Sequence, residues 1–260
     1  MRYETSVAAF TRSSDMPEGP SIVILKEAVQ DFVGKKILSA EGNSKKVDFD
    51  RLNSARIIDF KSWGKHFLIC FENFTIRIHF LLFGSYRVNE ERENIVPRLS
   101  LKFAKGTSLN FYACAISTID QPLDEIYDWT SDVMNDNWDE GKALRKLKNK
   151  PGALACDVLL DQQIFSGVGN IIKNEVLFRV RVHPKSKVGK LPPKKRKLLV
   201  REAVNYSFQF LEWKKEYTLR KHWLVHTKKV CPRDHQLVKQ YLGTTHRRTF
   251  YCKVCQKLYR

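Results

Sequence analysis

The sequence predicts an α+β multidomain protein with an N-terminal helix and antiparallel sheet domain, a helical domain and a C-terminal metal-binding hairpin. Eight short runs rich in β-branched and aromatic residues lie between about residues 37 and 119. Turn residues separate these runs, which is typical of antiparallel strands in a sandwich or barrel. Helical periodicity replaces this pattern after Asp120. Cysteine and histidine residues with metal-ligand spacing lie within the last thirty residues.

The individual elements follow from residue spacing. Ile22, Leu25, Val29 and Phe32 recur at helical spacing, which predicts a helix over 20–33 that ends at Gly34. The predicted strands cover about 37–41, 55–60, 66–71, 74–80, 84–89, 97–103, 107–112 and 114–119. The predicted helices cover 123–135, 139–148, 151–164, 168–179 and 194–216. The last of these helices places Leu198, Leu199, Ala203, Tyr206, Phe210 and Trp213 on an inner face.

The positive charge is concentrated near the C-terminus. Residues 181–260 supply the whole net charge of +18, because they contain 22 Lys and Arg but only 4 Asp and Glu. Residues 1–180 contain 24 basic and 24 acidic residues and are neutral overall. A basic tail on a neutral body indicates a polyanion partner, and nucleic acid fits this charge density better than a merely solubilising face does. No stretch approaches about 18 consecutive apolar residues, and no secretory signal is visible. We therefore expect an intracellular protein without membrane contact.

Two ligand pairs predict a structural zinc site. Cys231 and His235 form the first pair, and Cys252 and Cys255 form the second, about sixteen residues later. Three thiolates and one imidazole favour tetrahedral zinc with no open position, although Asp234 is an alternative to His235. The segment between the pairs predicts two strands with a tip at 243–247, which would aim Arg247 and Arg248 at phosphate. The remaining cysteines, Cys70, Cys114 and Cys156, are expected to be buried free thiols.

Two glycine-containing turns are candidate phosphate sites. Gly167-Val168-Gly169-Asn170 predicts a turn between helices, with Asn170 in the first turn of the second helix. Free backbone N–H groups there, beside an Asn side chain, would seat a phosphate, and the alternative is a plain interhelical turn. Gly64-Lys65 lies between two strand runs, so Lys65 either belongs to a solvated face or approaches a phosphate or a reacting sugar.

Met16-Pro17-Glu18-Gly19-Pro20 has the composition of a protein N-terminus. If Pro17 were the first residue, its secondary amine would have a pKa of about 7.7–8.0 and could form a Schiff base with an aldehyde-like carbon. The alternative is ordinary turn chemistry. Fifteen residues precede Met16. Because an internal Pro17 would have no basic lone pair, we expect residues 1–15 to be a disordered leader or a mis-assigned start.

Together these motifs resemble the formamidopyrimidine-DNA glycosylase and endonuclease VIII family of base-excision repair enzymes, from Met16 to the C-terminus. The zinc pattern of three Cys and one His is similar to that of the second vertebrate-type Nei-like branch. The resemblance implies a β-sandwich catalytic domain over 16–120, a helical DNA-binding domain with a helix–two-turn–helix motif over 121–225, and a zinc finger over 226–260.

The resemblance also implies a bifunctional glycosylase and lyase that removes oxidised bases, with pyrimidines expected, and cuts the strand by β,δ-elimination. Pro17 would be the Schiff-base nucleophile, Glu18 would transfer protons, and Lys65 would be the hairpin lysine near the reacting sugar. The implied DNA-binding residues are Asn170, Arg247 and Arg248 on phosphate, with Leu81, Leu82 and Phe83 filling the space of a flipped base. The alternative for the last three is strand core. Ser21 stands where the family commonly has a second Glu.

The expected partner is damaged DNA, bound by a monomer with one structural Zn²⁺ and no organic cofactor. The expected location is the cytoplasm or nucleoid in a bacterium, or the nucleus in a eukaryote. Two other functions stay open. One is a non-catalytic DNA-binding protein that senses lesions. The other is an abasic-site lyase with poor base removal, in which Lys65 or another amine replaces Pro17.

Overall fold

The computed structural model describes residues 17–260, so the expectation for residues 1–15 lies outside the described part of the chain. Two compact units are present. The first contains Pro17 and residues 22–127, and the second contains Glu18–Ser21 and Asp128–Arg260. Within residues 17–260, no helix combines the length and apolar character that a membrane crossing requires.

The first unit contains two four-stranded antiparallel sheets. Its strands are β1 (Ser39–Glu41), β2 (Asp59–Trp63), β3 (His66–Cys70), β4 (Thr75–His79), β5 (Ser85–Val88), β6 (Leu99–Lys102), β7 (Ser108–Tyr112) and β8 (Ala115–Ile119). The strand orders are β1-β6-β7-β5 and β2-β3-β4-β8. Its helices are α1 (Gly19–Ala28), whose first three residues belong to the second unit, α2 (Phe49–Leu52) and α3 (Leu123–Ile126).

One hydrophobic core joins both sheets of the first unit to α1. Phe67 and Ile78 come from one sheet, Leu101 and Phe111 come from the other, and all four are buried. From α1 and the turn after it, Ile22, Leu25, Val29 and Phe32 enter the same core, as their spacing predicts. The antiparallel sandwich and its leading helix are therefore confirmed.

The predicted second strand is displaced along the chain. It was expected over 55–60, but β2 begins at Asp59. The residues before it pair elsewhere, because Ile37 N–H donates to the Ala55 carbonyl at 2.8 Å and Ile57 N–H donates to the Lys35 carbonyl at 3.1 Å. Residues 55–57 thus pair with the segment after α1 instead of forming the start of β2.

The second unit is helical and ends in a hairpin. Its helices are α4 (Glu140–Lys148), α5 (Ala155–Val158), α6 (Asn170–Arg179) and α7 (Pro193–Lys215), and its strands are β9 (Val238–Leu242) and β10 (Arg247–Tyr251). The core of this unit contains Leu199, Ala203, Tyr206 and Phe210 from α7, as predicted, with Trp213 packed against it. Leu198 is 41% exposed, so its predicted inner position is wrong.

Two predicted helices are shorter than expected. The helix over 151–164 is reduced to α5, and the Asp161 carboxylate accepts the Gln163 N–H at 3.0 Å. An aspartate that bonds its own backbone two residues onward replaces a helical hydrogen bond and forms a turn. The helix over 123–135 is reduced to α3 and a separate 3-10 turn at Trp129–Ser131.

Candidate active site and nucleic-acid interface

The Glu18 carboxylate lies at the N-terminus of α6. Glu18 is 1% exposed. Its Oε2 accepts the Gly169 N–H at 3.0 Å and the Ile172 N–H at 3.2 Å, and its Oε1 accepts the Ile171 N–H at 2.7 Å. A carboxylate at this end of a helix is stabilised by the helix dipole. The prediction that these N–H groups are free for phosphate is therefore wrong, because Glu18 occupies them.

Two glycines allow this close approach. Gly19 N–H donates to the Gly167 carbonyl at 2.8 Å, and a Cβ on Gly19 would lie 2.9 Å from the Gly167 Cα. A Cβ on Gly169 would lie 2.4 Å from the Glu18 carboxyl carbon. A side chain at Gly19 would displace the Gly167 backbone, and one at Gly169 would displace the Glu18 carboxylate. Glu18 contacts the N-terminus of α6, and Gly19 contacts the turn before it. A plain turn at residues 17–20 would not account for these long-range contacts.

Pro17 directly precedes this anchored carboxylate and is half-buried. Lys65 lies in the two-residue turn between β2 and β3, where Trp63 pairs with His66. Gly64 has φ +55°, a conformation that glycine adopts without steric cost in tight hairpins. Lys65 is also half-buried and is held on a short, paired hairpin. Its role in chemistry stays a prediction.

A histidine and tyrosine cluster next to Lys65 was not foreseen from the sequence. His66 Nδ1 lies 3.2 Å from Tyr127 Oη, and the Trp63 and Tyr127 rings are 5.0 Å apart. Burial lowers the pKa of His66 to about 4, with His79 and Arg77 adding to the effect. His66 is therefore neutral at physiological pH. The available sequence signal was its place beside the glycine-lysine turn.

Leu81, Leu82 and Phe83 form an exposed apolar tip between β4 and β5. They are 52%, 44% and 85% exposed. The tip is closed by the Gly84 N–H, which donates to the Phe80 carbonyl at 2.8 Å. Leu81 has φ +54°, which is uncommon for a residue with a side chain. The strand-core alternative is therefore wrong, and the three side chains are available to an external partner.

Asn170 and the hairpin arginines are linked within the second unit. The Asn170 side-chain amide donates to the Arg248 carbonyl at 2.9 Å, so Asn170 contacts β10 directly. The Arg247 and Arg248 side chains are exposed. At the hairpin turn, the Thr244 N–H donates to the Asp157 carboxylate at 2.9 Å. The hairpin is thus fixed to the helical part of the unit at its turn and along β10.

The middle of α6 carries three fully buried polar residues, Lys173, Asn174 and Glu175. The Glu175 carboxylate accepts the N–H groups of Leu224, Val225 and His226 at 2.9, 3.0 and 2.8 Å. Burial raises the pKa of Glu175, while these three hydrogen bonds oppose the shift. Sequence reasoning missed this group because a run of charged and amide residues ordinarily indicates a solvent-facing helix surface.

The four predicted metal ligands lie together. The ligand atoms of Cys231, His235, Cys252 and Cys255 are all within 4.8 Å of one another. His235 Nδ1 is 3.5 Å from Cys231 Sγ and 3.4 Å from Cys255 Sγ, which are 3.9 Å apart. These separations fit the edges of a tetrahedron with metal–sulfur bonds of about 2.3 Å and metal–nitrogen bonds of about 2.0–2.1 Å. The cluster can hold a metal ion, with His235 rather than Asp234 in the fourth position.

Most of the chain matches two domains of one known family. The formamidopyrimidine-DNA glycosylase N-terminal domain matches residues 16–114, and the formamidopyrimidine-DNA glycosylase H2TH domain matches residues 131–218. The chain belongs to the formamidopyrimidine-DNA glycosylase and endonuclease VIII family. This is a family of DNA glycosylases with abasic-site lyase activity in base-excision repair, and the protein is an enzyme of that class.

Individual relatives place it with the Nei-like proteins. Endonuclease 8-like 2 of Mus musculus is 28% identical over 93% of this chain and 96% of its own length. That alignment spans 321 positions, more than the 260 residues here, so the mouse protein has segments without a counterpart. Endonuclease 8-like 2 of Homo sapiens is 35% identical over 70% of this chain and 57% of its own length.

Solved structures share the fold. A viral DNA glycosylase matches with a TM-score of 0.81 and 23% identity, covering 92% of this chain and 100% of that one. Lactococcus lactis formamidopyrimidine-DNA glycosylase, bound to DNA containing an abasic site, matches with a TM-score of 0.80 and 22% identity, covering 92% and 99%. At these identities the likeness establishes the architecture of the chain.

Proposed function

We propose that the protein removes oxidised bases, pyrimidines foremost, from DNA and cleaves the strand through a Schiff base on Pro17. The observation that carries this proposal is the anchored Glu18 carboxylate. Three backbone hydrogen bonds fix it, and a single peptide bond joins it to Pro17. A secondary amine held beside a fixed carboxylate has a nucleophile and a proton-transfer group in adjacent positions.

The reaction would proceed through a covalent intermediate on Pro17. In a chain whose first residue is Pro17, the unprotonated amine attacks C1′ of the damaged nucleotide, the glycosidic bond breaks, and the base leaves with a proton. Opening of the sugar ring then gives the iminium between Pro17 and C1′. The iminium makes the neighbouring C2′ proton acidic, so its removal expels the 3′ phosphate. Loss of the C4′ proton then expels the 5′ phosphate, and water hydrolyses the iminium to release the sugar fragment and free Pro17. Glu18 is proposed to move protons in these steps.

DNA binding is proposed to use the exposed groups of each unit. Arg247 and Arg248 would bind backbone phosphates, with Asn170 acting beside them. In the first unit, Lys65 would approach the phosphate or sugar at the lesion. The apolar tip of Leu81, Leu82 and Phe83 would occupy the space that a flipped base leaves, since wedges of this kind replace lost stacking.

A zinc ion is proposed for the Cys231, His235, Cys252 and Cys255 cluster. The donor set and spacing suit zinc, and four protein ligands leave no position for substrate. Its contribution would be structural. The cluster lies at the base of the β9–β10 hairpin, because Cys252 directly follows the last residue of β10. Zinc would therefore fix the hairpin that presents Arg247 and Arg248.

Borohydride trapping tests the proposal. A chain that begins at Pro17 and the full chain are each incubated with a duplex that contains one oxidised pyrimidine or one abasic site. Borohydride reduces any imine to a stable amine. The expected result is an adduct from the chain that begins at Pro17 on both duplexes, mapped to Pro17 by peptide mass spectrometry.

Other outcomes distinguish the alternatives. An adduct that maps to Lys65 would make that amine the nucleophile and overturn the Pro17 assignment. An adduct only on the abasic duplex would indicate a lyase without efficient base removal. Binding without any adduct would indicate a lesion sensor. The full chain serves as the matched comparison, because residues 1–16 convert the Pro17 amine into an amide.

A further inference from the structure

Lys173 on α6 is a wholly buried lysine, with 0% exposure. Its Nζ donates to Asn170 Oδ1 at 2.8 Å and to Thr249 Oγ1 at 2.8 Å. Within residues 17–260, its Nζ makes no ion pair at salt-bridge distance. Burial of an ammonium group without a direct ion pair is costly, so the hydrogen bonds of Lys173 must offset the loss of hydration.

These hydrogen bonds fix the orientation of the Asn170 amide. A lysine ammonium has donors but no acceptor, so it requires the oxygen of Asn170 to face it. The amide nitrogen then faces the opposite way, where Asn170 Nδ2 donates to the Arg248 carbonyl at 2.9 Å. The Arg248 carbonyl can only accept, so it favours the same orientation of the amide. Lys173 thus reinforces the orientation in which Asn170 binds β10, and it supplies the charged donor that the amide oxygen would otherwise lack.

A second branch of the same network reaches Arg247. Thr249 is fully buried, and its hydroxyl accepts from Lys173 while it donates to the Arg247 carbonyl at 3.0 Å. The backbone of both exposed arginines is therefore bonded to a group that Lys173 holds. The next residue of α6, Asn174, adds a contact, because its Oδ1 accepts the Phe250 N–H at 3.3 Å.

Four residues from three parts of the chain set the electrostatic surroundings of Lys173. Burial lowers its pKa to about 8. Cys156 and Asp157 on α5, with Glu18 before α1, favour the charged lysine, and Arg247 on β10 disfavours it. Glu18 and Arg247 thus both influence this buried group, which lies among the proposed proton-transfer residue and the proposed phosphate-binding residues.

We propose that Lys173 is a positioning residue that sets Asn170, Arg247 and Arg248 for binding the DNA backbone at the lesion. It acts through these residues, since a wholly buried side chain cannot touch DNA. This inference rests on the proposed function of the hairpin arginines and Asn170. It adds a requirement inside α6 that the exposed groups alone do not reveal.

The test is a double-mutant cycle on DNA affinity. Lys173→Met keeps the length of the side chain but removes all donors, and Asn170→Ala removes the amide. Affinity is measured on a duplex with a non-reactive abasic-site analogue. We expect Lys173→Met to weaken binding about tenfold in the wild-type background and less than about threefold in the Asn170→Ala background, because coupled residues are not additive. Lys46→Met, at an exposed lysine of the first unit outside the basic tail, is the matched control and should bind as wild type does.

The outcomes separate this inference from the proposed function. The single-turnover rate of trapping at saturating DNA should stay within about threefold of wild type, which a general loss of structure would not allow. Unchanged affinity of Lys173→Met, or a tenfold loss that persists beside Asn170→Ala, would overturn the inference while wild-type trapping still supported the Pro17 chemistry. If wild type neither bound nor trapped DNA, both the Lys173 inference and the proposed function would be disproved.

A second variant covers the case in which Lys173→Met does not fold. Thr249→Val is nearly isosteric and removes only the hydroxyl that joins Lys173 to Arg247. Folding of each variant is checked by bound zinc and by the unfolding temperature. Weaker binding of a folded Thr249→Val, with trapping retained at saturating DNA, is the expected result. Wild-type affinity of this variant would overturn the Thr249 branch and the proposal with it.

Discussion

The position of the Glu18 carboxylate depends on a contact that its neighbours in sequence do not reveal. Gly169, Ile171 and Ile172 lie about 150 residues further along the chain, yet their N–H groups hold both carboxylate oxygens. A carboxylate held at a helix N-terminus resists rotation and favours negative charge. Glu18 therefore has a fixed position, and its peptide bond limits where Pro17 can lie.

His66 gives a prediction about acid stability. Its pKa is lowered to about 4 by burial, from an ordinary value of 6.5. The unfolded chain therefore binds a proton that the folded state excludes as the pH falls from 6.5 to 4. The stability that this group contributes is present above pH 6.5 and is lost through that window. His66→Gln retains a partner for Tyr127. This variant should lose about 2 kcal/mol less of its free energy of unfolding than wild type as the pH falls.

The measurement is the free energy of unfolding by urea at pH 7 and at pH 4.5. His246→Gln is the matched control, because it makes the same substitution at an exposed histidine on the hairpin turn. If wild type and His66→Gln lost equal stability between the two pH values, the buried neutral state of His66 would be disproved.

At the scale of elements, the close approach of the Glu18 carboxylate to the N-terminus of α6 depends on Gly169. A Cβ there would lie 2.4 Å from the Glu18 carboxyl carbon, and the carboxylate cannot move away without breaking its hydrogen bonds. Gly169→Ala should therefore destabilise the fold by about 2 kcal/mol or more and abolish trapping. Gly152→Ala is the matched control, since a Cβ at Gly152 would have no neighbour within 4 Å. Thermal unfolding and trapping measure both effects, and a fully active Gly169→Ala would contradict the role given to Glu18.

The hairpin gives a second prediction at this scale. Removal of metal by a chelator, or Cys252→Ser, should expose residues 226–260 to proteolysis and weaken DNA binding about tenfold or more, because β9 and β10 would lose a fixed base. Metal content by atomic absorption should fall from one zinc per chain. Cys70→Ser lies outside the cluster and should retain its zinc and its affinity. Full affinity without metal would show that helical contacts alone hold the hairpin.

The sequence predicted elements whose side chains follow a simple period. The strands between Ser39 and Ile119 alternate or run apolar because they cover one core, and α7 repeats its buried face over 23 residues. It predicted a helix over 151–164 that is much longer than α5, because the Asp161 turn interrupts a pattern that continues as helical in the sequence. It also missed Lys173 and Glu175, since their burial depends on partners at Thr249 and Leu224–His226 that no local pattern specifies.

At the scale of the whole molecule, charge is divided unequally along the chain. Residues 181–260 carry a net +18, while the remainder is neutral. Several basic side chains elsewhere are paired, such as Lys142 and Lys146 with Asp128. By contrast, Lys185, Lys187 and Lys257 are exposed, and within the described residues none forms an ion pair at salt-bridge distance. The backbone brings these three together, because Lys187 N–H donates to the Tyr259 carbonyl and His183 N–H to the Lys257 carbonyl, both at 2.9 Å.

Concentrated, unpaired charge predicts strong salt dependence of DNA binding. Each phosphate neutralised by a lysine adds about 0.9 to the slope of log affinity against log salt. If all three lysines bind phosphates, Lys185→Gln, Lys187→Gln and Lys257→Gln together should lower the magnitude of that slope by about 2.7. The matched control replaces Lys36, Lys46 and Lys105 of the first unit with Gln, which changes the net charge equally. Because polyanion binding follows the local density of charge, the control should leave the slope within about 0.5 of wild type. Equal slopes from the two triple variants would mean that overall charge attracts DNA, and the basic tail would then have no special place in the interface.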